Sequence, residues 1–165
     1  MEAELHVGVR NLGSSGGQLL RVHVAIEQFA LGGWFSVGAT EESAPGERDR
    51  NFSRPVRLRR WRDGDARVRA LLMARPAGGE AEGGGGGGAA VWGEAYFEHD
   101  AASFEGNAAR AVVPVALARR QDDDRPCYLH VTVLLLGEEQ RARGCVSAAV
   151  DMHFPYGPPM RHMDI

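Results

Sequence analysis

Lysine is missing from this chain: all 19 of its basic residues are arginine. With alanine and glycine abundant, that points to GC-rich coding more than to a chemical need. Cysteine is nearly missing too, and Cys127 and Cys145 lack the spacing of metal ligands. Buried free thiols in a reducing compartment are therefore expected. No apolar run approaches the length of a membrane span. Met1 is followed by Glu2 and Glu4 without a basic segment and apolar core, so no secretory leader is read, and Glu2 stands where myristoylation needs glycine. A cytoplasmic protein, free or peripherally bound to a membrane, is the expectation. On that expectation the formal glycosylation triplet Asn51-Phe52-Ser53 is discounted.

What is present is one domain's worth of chain, 165 residues with 44% hydrophobic content, 22 Gly and 8 Pro. The net charge of -3 conceals an asymmetry. Residues 48–75 hold ten arginines against Asp49, Asp63 and Asp65, so this segment carries +7 and the remainder -10. That balance argues against a protein that coats nucleic acid, while a local patch can still attract anions.

The segment RPVRLRRWRDGDARVRALLM, residues 54–73, reads as two strands around an Asp63-Gly64-Asp65 turn. With three loop residues Val56 falls opposite Leu72, Leu58 opposite Ala70 and Arg60 opposite Val68, making one face apolar apart from Arg60 near the turn. The other face then carries Arg57, Arg59, Trp61, Arg67 and Arg69, with Arg59 and Arg69 directly opposed at a cost. One outcome is a solvated face balanced by acids. The other is an anionic partner, since the planar guanidinium fork suits phosphate. These five residues are the candidate binding site.

Elsewhere strands dominate. Leu5, Val7 and Val9 alternate with His6 and Gly8, as do Leu20, Val22, Val24 and Ile26 with polar neighbours. Trp34 to Thr40 is a further short strand, followed by a polar connection from Glu41 to Ser53. Val91 to Phe97 places Val91, Gly93, Ala95 and Phe97 on one face and Trp92, Glu94 and Tyr96 on the other. A short helical turn is expected within Ala101 to Ala109, then strands from Arg110 to Leu117 and, in the sheet centre, from Tyr128 to Leu136.

Several motifs fail on context. Gly13-Ser14-Ser15-Gly16-Gly17 has the spacing of a nucleophile elbow, but a strand pattern follows where that chemistry needs a helix. Six glycines, Gly83 to Gly88, lack the strand, loop and helix that cradle phosphate and read as a floppy insertion. Glu98, His99 and Asp100 are adjacent in an extended segment and cannot converge. Asp122, Asp123 and Asp124 lack the spacing of a helix-loop-helix calcium loop. His153 and His162 suggest no third ligand. Hence neither a catalytic nor a metal site is assigned, no cofactor is expected, and the chain is read as not an enzyme.

Short strands with Gly, Pro and Asp turns argue an all-β, antiparallel β-sandwich of about seven to eight strands. Within that class LHVGVRNL, LLRVHVAI, RPVRLRRWRDGDARVRALLMAR, VWGEAYFEHD and YLHVTVLLL, in that order, resemble the strands of a C2 domain across roughly residues 3 to 137. The resemblance implies a C2-like sandwich over residues 1–140, with a Gly-rich loop at about 76–90 and a C-terminal extension over 141–165. The loops that hold calcium in such domains are here Gly13 to Gly17, without Asp, and the glycine run. A calcium-independent member is therefore implied: an adaptor or assembly module docking another protein or an acidic phospholipid surface, with no nucleic acid. The alternative is a scaffold that pairs through an edge strand or the tail from Asp151 to Ile165, and an enzyme of unknown class is the less favoured third reading.

Overall fold

In the computed structural model, which describes residues 2–14, 16–58, 67–78, 88–98, 105–118, 121 and 125–137, every regular element is a strand. β1 (Glu2–Arg10), β2 (Leu20–Ala30), β3 (Gly33–Ala39), β4 (Arg50–Asn51), β5 (Val56–Leu58), β6 (Arg67–Pro76), β7 (Ala90–Glu98), β8 (Ala108–Pro114), β9 (Ala116–Leu117) and β10 (Tyr128–Leu136) follow in chain order. They form two antiparallel sheets. The first runs β4-β1-β10-β8 with β5 also on β1, and the second runs β3-β2-β6-β7-β9.

Period-two alternation explains the sandwich. Ala3, Leu5, Val7 and Val9 on β1 and Leu129, Val131 and Val133 on β10 face Val22, Val24 and Ile26 on β2 and Val68, Ala70 and Leu72 on β6, all buried in one core. Each large side chain there, Leu5, Ile26, Leu58, Leu72 or Leu129, contributes about 1.5–3 kcal/mol by burial. As expected, β10 is central, paired along its length with β1 and β8. Ten strands stand in place of seven to eight because β4 forms within the expected polar connection and one expected strand is split. β4 and β5 both lie on β1, and the Arg110 to Leu117 segment breaks at Val115, sending β8 to the first sheet and β9 to the second.

The arginine-rich hairpin is not formed. β5 pairs with β1, setting Val56 opposite Leu5, Arg57 opposite Glu4 and Leu58 opposite Ala3. β6 instead lies between β2 and β7, with Leu72 opposite Val24 and Gly93. Both edges of β6 are taken, by β2 and by β7, so β5 completes its pairing on β1 with Val56 and Leu58 still facing the core. A turn signal marks a reversal of the chain, and cannot tell whether the flanking strands pair. Residues 59–66, which include Asp63-Gly64-Asp65, lie outside the described residues.

Two local expectations also change. In β7 Trp92 is buried and Val91 is exposed, the reverse of the expected faces. A bulge is the cause: Leu72 pairs with Gly93 while Met73 pairs with Val91, so Trp92 is the extra residue and turns inward. Gly93 fits beneath β9 only because it has no Cβ, which would sit 2.7 Å from Val115 Cγ1 and 3.0 Å from the Ala116 carbonyl oxygen. Instead of a helical turn, Glu105 and Ala108 bridge across a tight turn in which Gly106 has φ 68°. Among the described residues no helix is long and apolar enough to cross a membrane.

Candidate interaction surface

The outer face of the second sheet carries the densest side-chain cluster. Glu27 on β2 lies opposite Arg69 on β6, and Arg69 lies opposite Tyr96 on β7. Arg69 Nε donates to Glu27 Oε2 at 2.6 Å, and its guanidinium also stacks 4.8 Å from the centre of the Trp34 ring. The Tyr96 phenol and the Glu27 carboxylate together hold Arg69 above its ordinary pKa. Trp34 meets Phe29 and Tyr96 edge to face at 5.4 and 5.7 Å, and Arg67 covers the Phe29 ring at 3.8 Å. The direct opposition of Arg59 and Arg69 expected in the hairpin is replaced here by an acid-base pair.

The remaining candidate residues are dispersed. Arg57 projects from the outer face of the first sheet, because Val56 and Leu58 point into the core, and its Nε lies 3.5 Å from Glu4 Oε1. The structure thus brings Arg67 and Arg69 together and sets Arg57 on the opposite side of the sandwich. Arg59 and Trp61 lie outside the described residues. Further along β6, Arg75 Nε and Nη2 donate to the two oxygens of Glu42 at 2.7 Å each, a bidentate pair that holds the Glu42 carboxyl below its usual range.

At one end of the sandwich three connections converge. Leu12 N–H donates to the Arg48 carbonyl at 3.0 Å, Gly46 N–H to Leu20 at 3.3 Å and Ala77 N–H to Leu19 at 2.9 Å. Glu41 organises the connection after β3, accepting from Ser53 N–H, the Ser53 hydroxyl and Arg54 N–H at 2.6 to 3.0 Å. Partial burial raises its pKa, but these bonds and the Glu41 backbone outweigh that and leave the carboxyl below its ordinary value. Arg50 is buried beneath this end with Nη2 donating to the Leu20 carbonyl at 3.1 Å, and burial depresses its pKa. Near it the buried Cys127 thiol is pushed up to about 12 by desolvation, so it stays protonated and inert at neutral pH.

The motifs set aside from sequence fall as follows. The segment after Ser15 is strand β2, so the elbow context is absent. Among the described residues no three His, Cys, Asp or Glu side chains gather as metal ligands. His99, Asp100, the 122–124 run, Cys145, His153, His162 and the tail from 151 to 165 lie outside the described residues, as does most of the glycine run.

Sequence reasoning missed Glu27, Phe29, Trp34 and Tyr96 as partners of the arginines, since they come from three other strands. It also passed over β3 as a surface. This strand, GWFSVGA, carries neither charge nor proline, and its one described partner is β2. The turn before it exposes Leu31 fully at φ 49°, followed by Gly32 at φ 81°, and Phe35 is 53% exposed. The uncharged stretch was visible in the sequence; that it forms a sheet edge was not. No protein-family model matches the chain, and a search of curated proteins returned no match.

Proposed function

We propose that this chain is a non-enzymatic, calcium-independent C2-like module whose task is to hold another protein, using the second sheet and its free β3 edge. The observation that carries this reading is the contrast between the two features of that sheet. Arg69 and Arg75 are engaged by Glu27 and Glu42, whereas β3 is uncharged, has β2 as its one strand partner among the described residues, exposes Phe35 and follows the exposed Leu31. The C2-like part of the reading is supported by the first and last of the resembling segments, LHVGVRNL and YLHVTVLLL, which lie in neighbouring strands of one sheet, and by loops gathered at one end without an Asp cluster among the described residues.

Affinity capture in the presence of EGTA, followed by titration with the purified binding protein, tests it. Binding is expected to persist without calcium and to fall at least tenfold in Phe35→Lys. Binding that needs calcium, or that ignores this change, overturns the reading.

A second reading, docking to an acidic phospholipid surface, is favoured by Arg67. It is exposed, and its guanidinium sits 3.8 Å from the centre of the Phe29 ring. Flotation with phosphatidylserine or phosphoinositide vesicles at low and high salt tests it. The expected result is salt-sensitive binding lost in Arg67→Glu; binding unaffected by that change removes Arg67 from the mechanism.

A further inference from the structure

Sheet edges are hazards that proteins blunt with charge, proline or shortness. Among the described strands the edges of this sandwich are protected in those ways with one exception. β4 and β5 are two and three residues long and carry Arg50 and Arg57, β8 carries Arg110 and ends in Pro114, β9 has two residues, and the stretch of β7 beyond its pairing with β9, Ala95 to Glu98, is short and ends in an acid. β3 has seven residues and none of these devices. Its single interruption is a bulge at Val37, where Glu27 pairs with Ser36 and Ile26 with Gly38.

We propose that β3 pairs with β3 of a second copy, antiparallel about a twofold axis through Phe35, joining the second sheets of two molecules into one. This deepens the protein-binding reading and rests on it. Three observations select a second copy over a foreign strand. A strand that pairs with itself sets like residues near like, so any charge it carried would face its own kind; β3 carries none. The axis through Phe35 keeps side chains of the same face opposite each other: Phe35 meets Phe35, Trp34 meets Ser36, and Gly33 meets Val37. Large residues then face small ones or, at the axis, two half-exposed rings cover each other. The overlap ends at Val37, where the bulge ends the regular register, and it leaves the fully exposed Leu31 just beyond the paired segment to cover its rim. An isologous contact of this kind closes on itself and yields a dimer rather than a fibre.

Five residues of pairing make a small interface, so the dimer forms reversibly and dissociates on dilution. Sedimentation velocity of the purified full chain from about 1 to 200 µM is the test. A concentration-dependent dimer is expected, with the dissociation constant raised at least tenfold in Phe35→Lys and unchanged in Val112→Lys, which places the same charge on the exposed β8 edge. A second readout does not depend on the lysine variant folding. Directly opposed residues of an antiparallel pair have Cα atoms about 4.5–5.5 Å apart, within disulfide reach. In a Cys145→Ser background Phe35→Cys is therefore expected to oxidise to a covalent dimer and Val112→Cys to remain monomeric; Cys127 is buried and takes no part. A wild-type chain that stays monomeric at 200 µM, or equal cross-linking at both positions, overturns the proposal. If that chain is monomeric yet captures a different protein in a Phe35-dependent way, the module reading stands and the self-pairing alone is lost.

Discussion

Replacing Glu27 by Gln removes the carboxylate that holds Arg69 while nearly keeping its shape. The lost contact is a charge-assisted hydrogen bond of 2.6 Å between side chains about one-fifth exposed, 23% and 20%. Fully exposed pairs are worth about 0.2–1 kcal/mol and hydrogen bonds to charged groups about 1.5–3 kcal/mol. A half-buried pair belongs between them, so a coupling of about 1–1.5 kcal/mol is expected from the double-mutant cycle of Glu27→Gln with Arg69→Met. Trp34 and Tyr96 still hold Arg69 in the single variant, which limits the damage to about 3–6 °C in thermal midpoint. Urea denaturation of the four proteins, at low and at 1 M salt, measures the coupling, and burial predicts that about half or more survives the added salt. The same variant frees a cation beside Arg67, so its binding to acidic vesicles is expected to rise above wild type. A coupling below about 0.3 kcal/mol, with vesicle binding unchanged, would refute the conclusion that Arg69 is neutralised from within.

Gly93→Ala places a methyl group 2.7 Å from Val115 Cγ1 and 3.0 Å from the Ala116 carbonyl, which cannot rotate away; a loss of about 1–3 kcal/mol in denaturant titration is expected, and an unchanged midpoint contradicts the close packing of β9 on β7. Glu41 has its carboxyl below the ordinary value of 4.5, so its stabilisation is present above that pH and is lost as pH falls through the lower folded value. Glu41→Gln should therefore be less stable than wild type by about 1–2 kcal/mol at pH 7, with the gap narrowing as pH falls below 4.5 and through the lower folded value; a gap that does not narrow rules out the carboxylate as the cause. In a Cys145→Ser background the Cys127 thiol, raised to about 12 by burial, should resist a thiol reagent at pH 8 until the protein is unfolded, and rapid labelling of the folded chain contradicts its burial.

How far the sequence could be read depended on whether the information was local. β1, β2 and β10 follow from alternation, because one face of each meets the core and the other does not, and their limits were legible to within a residue or a few. The arginine segment was legible as two strands with an apolar face, and that is how β5 and β6 are built. Where it failed was in assigning those strands to each other. Trp92 failed for a similar reason, since a single bulge inverts every face on one side of it, and the bulge is set by how Gly93 fits under β9.

The amino-acid order alone determined that this chain is rich in strand, that it closes an antiparallel sandwich, and which residues of β1, β2, β5, β6 and β10 face inward, because period-two patterning acts residue by residue. Only the tertiary structure decided which strands are neighbours. That choice joined Arg69 to Glu27 and Trp34 rather than to Arg59, sent Arg57 to the far side, and left β3 at the edge of its sheet among the described strands. Pairing depends on burial summed over the whole core, which no segment encodes by itself.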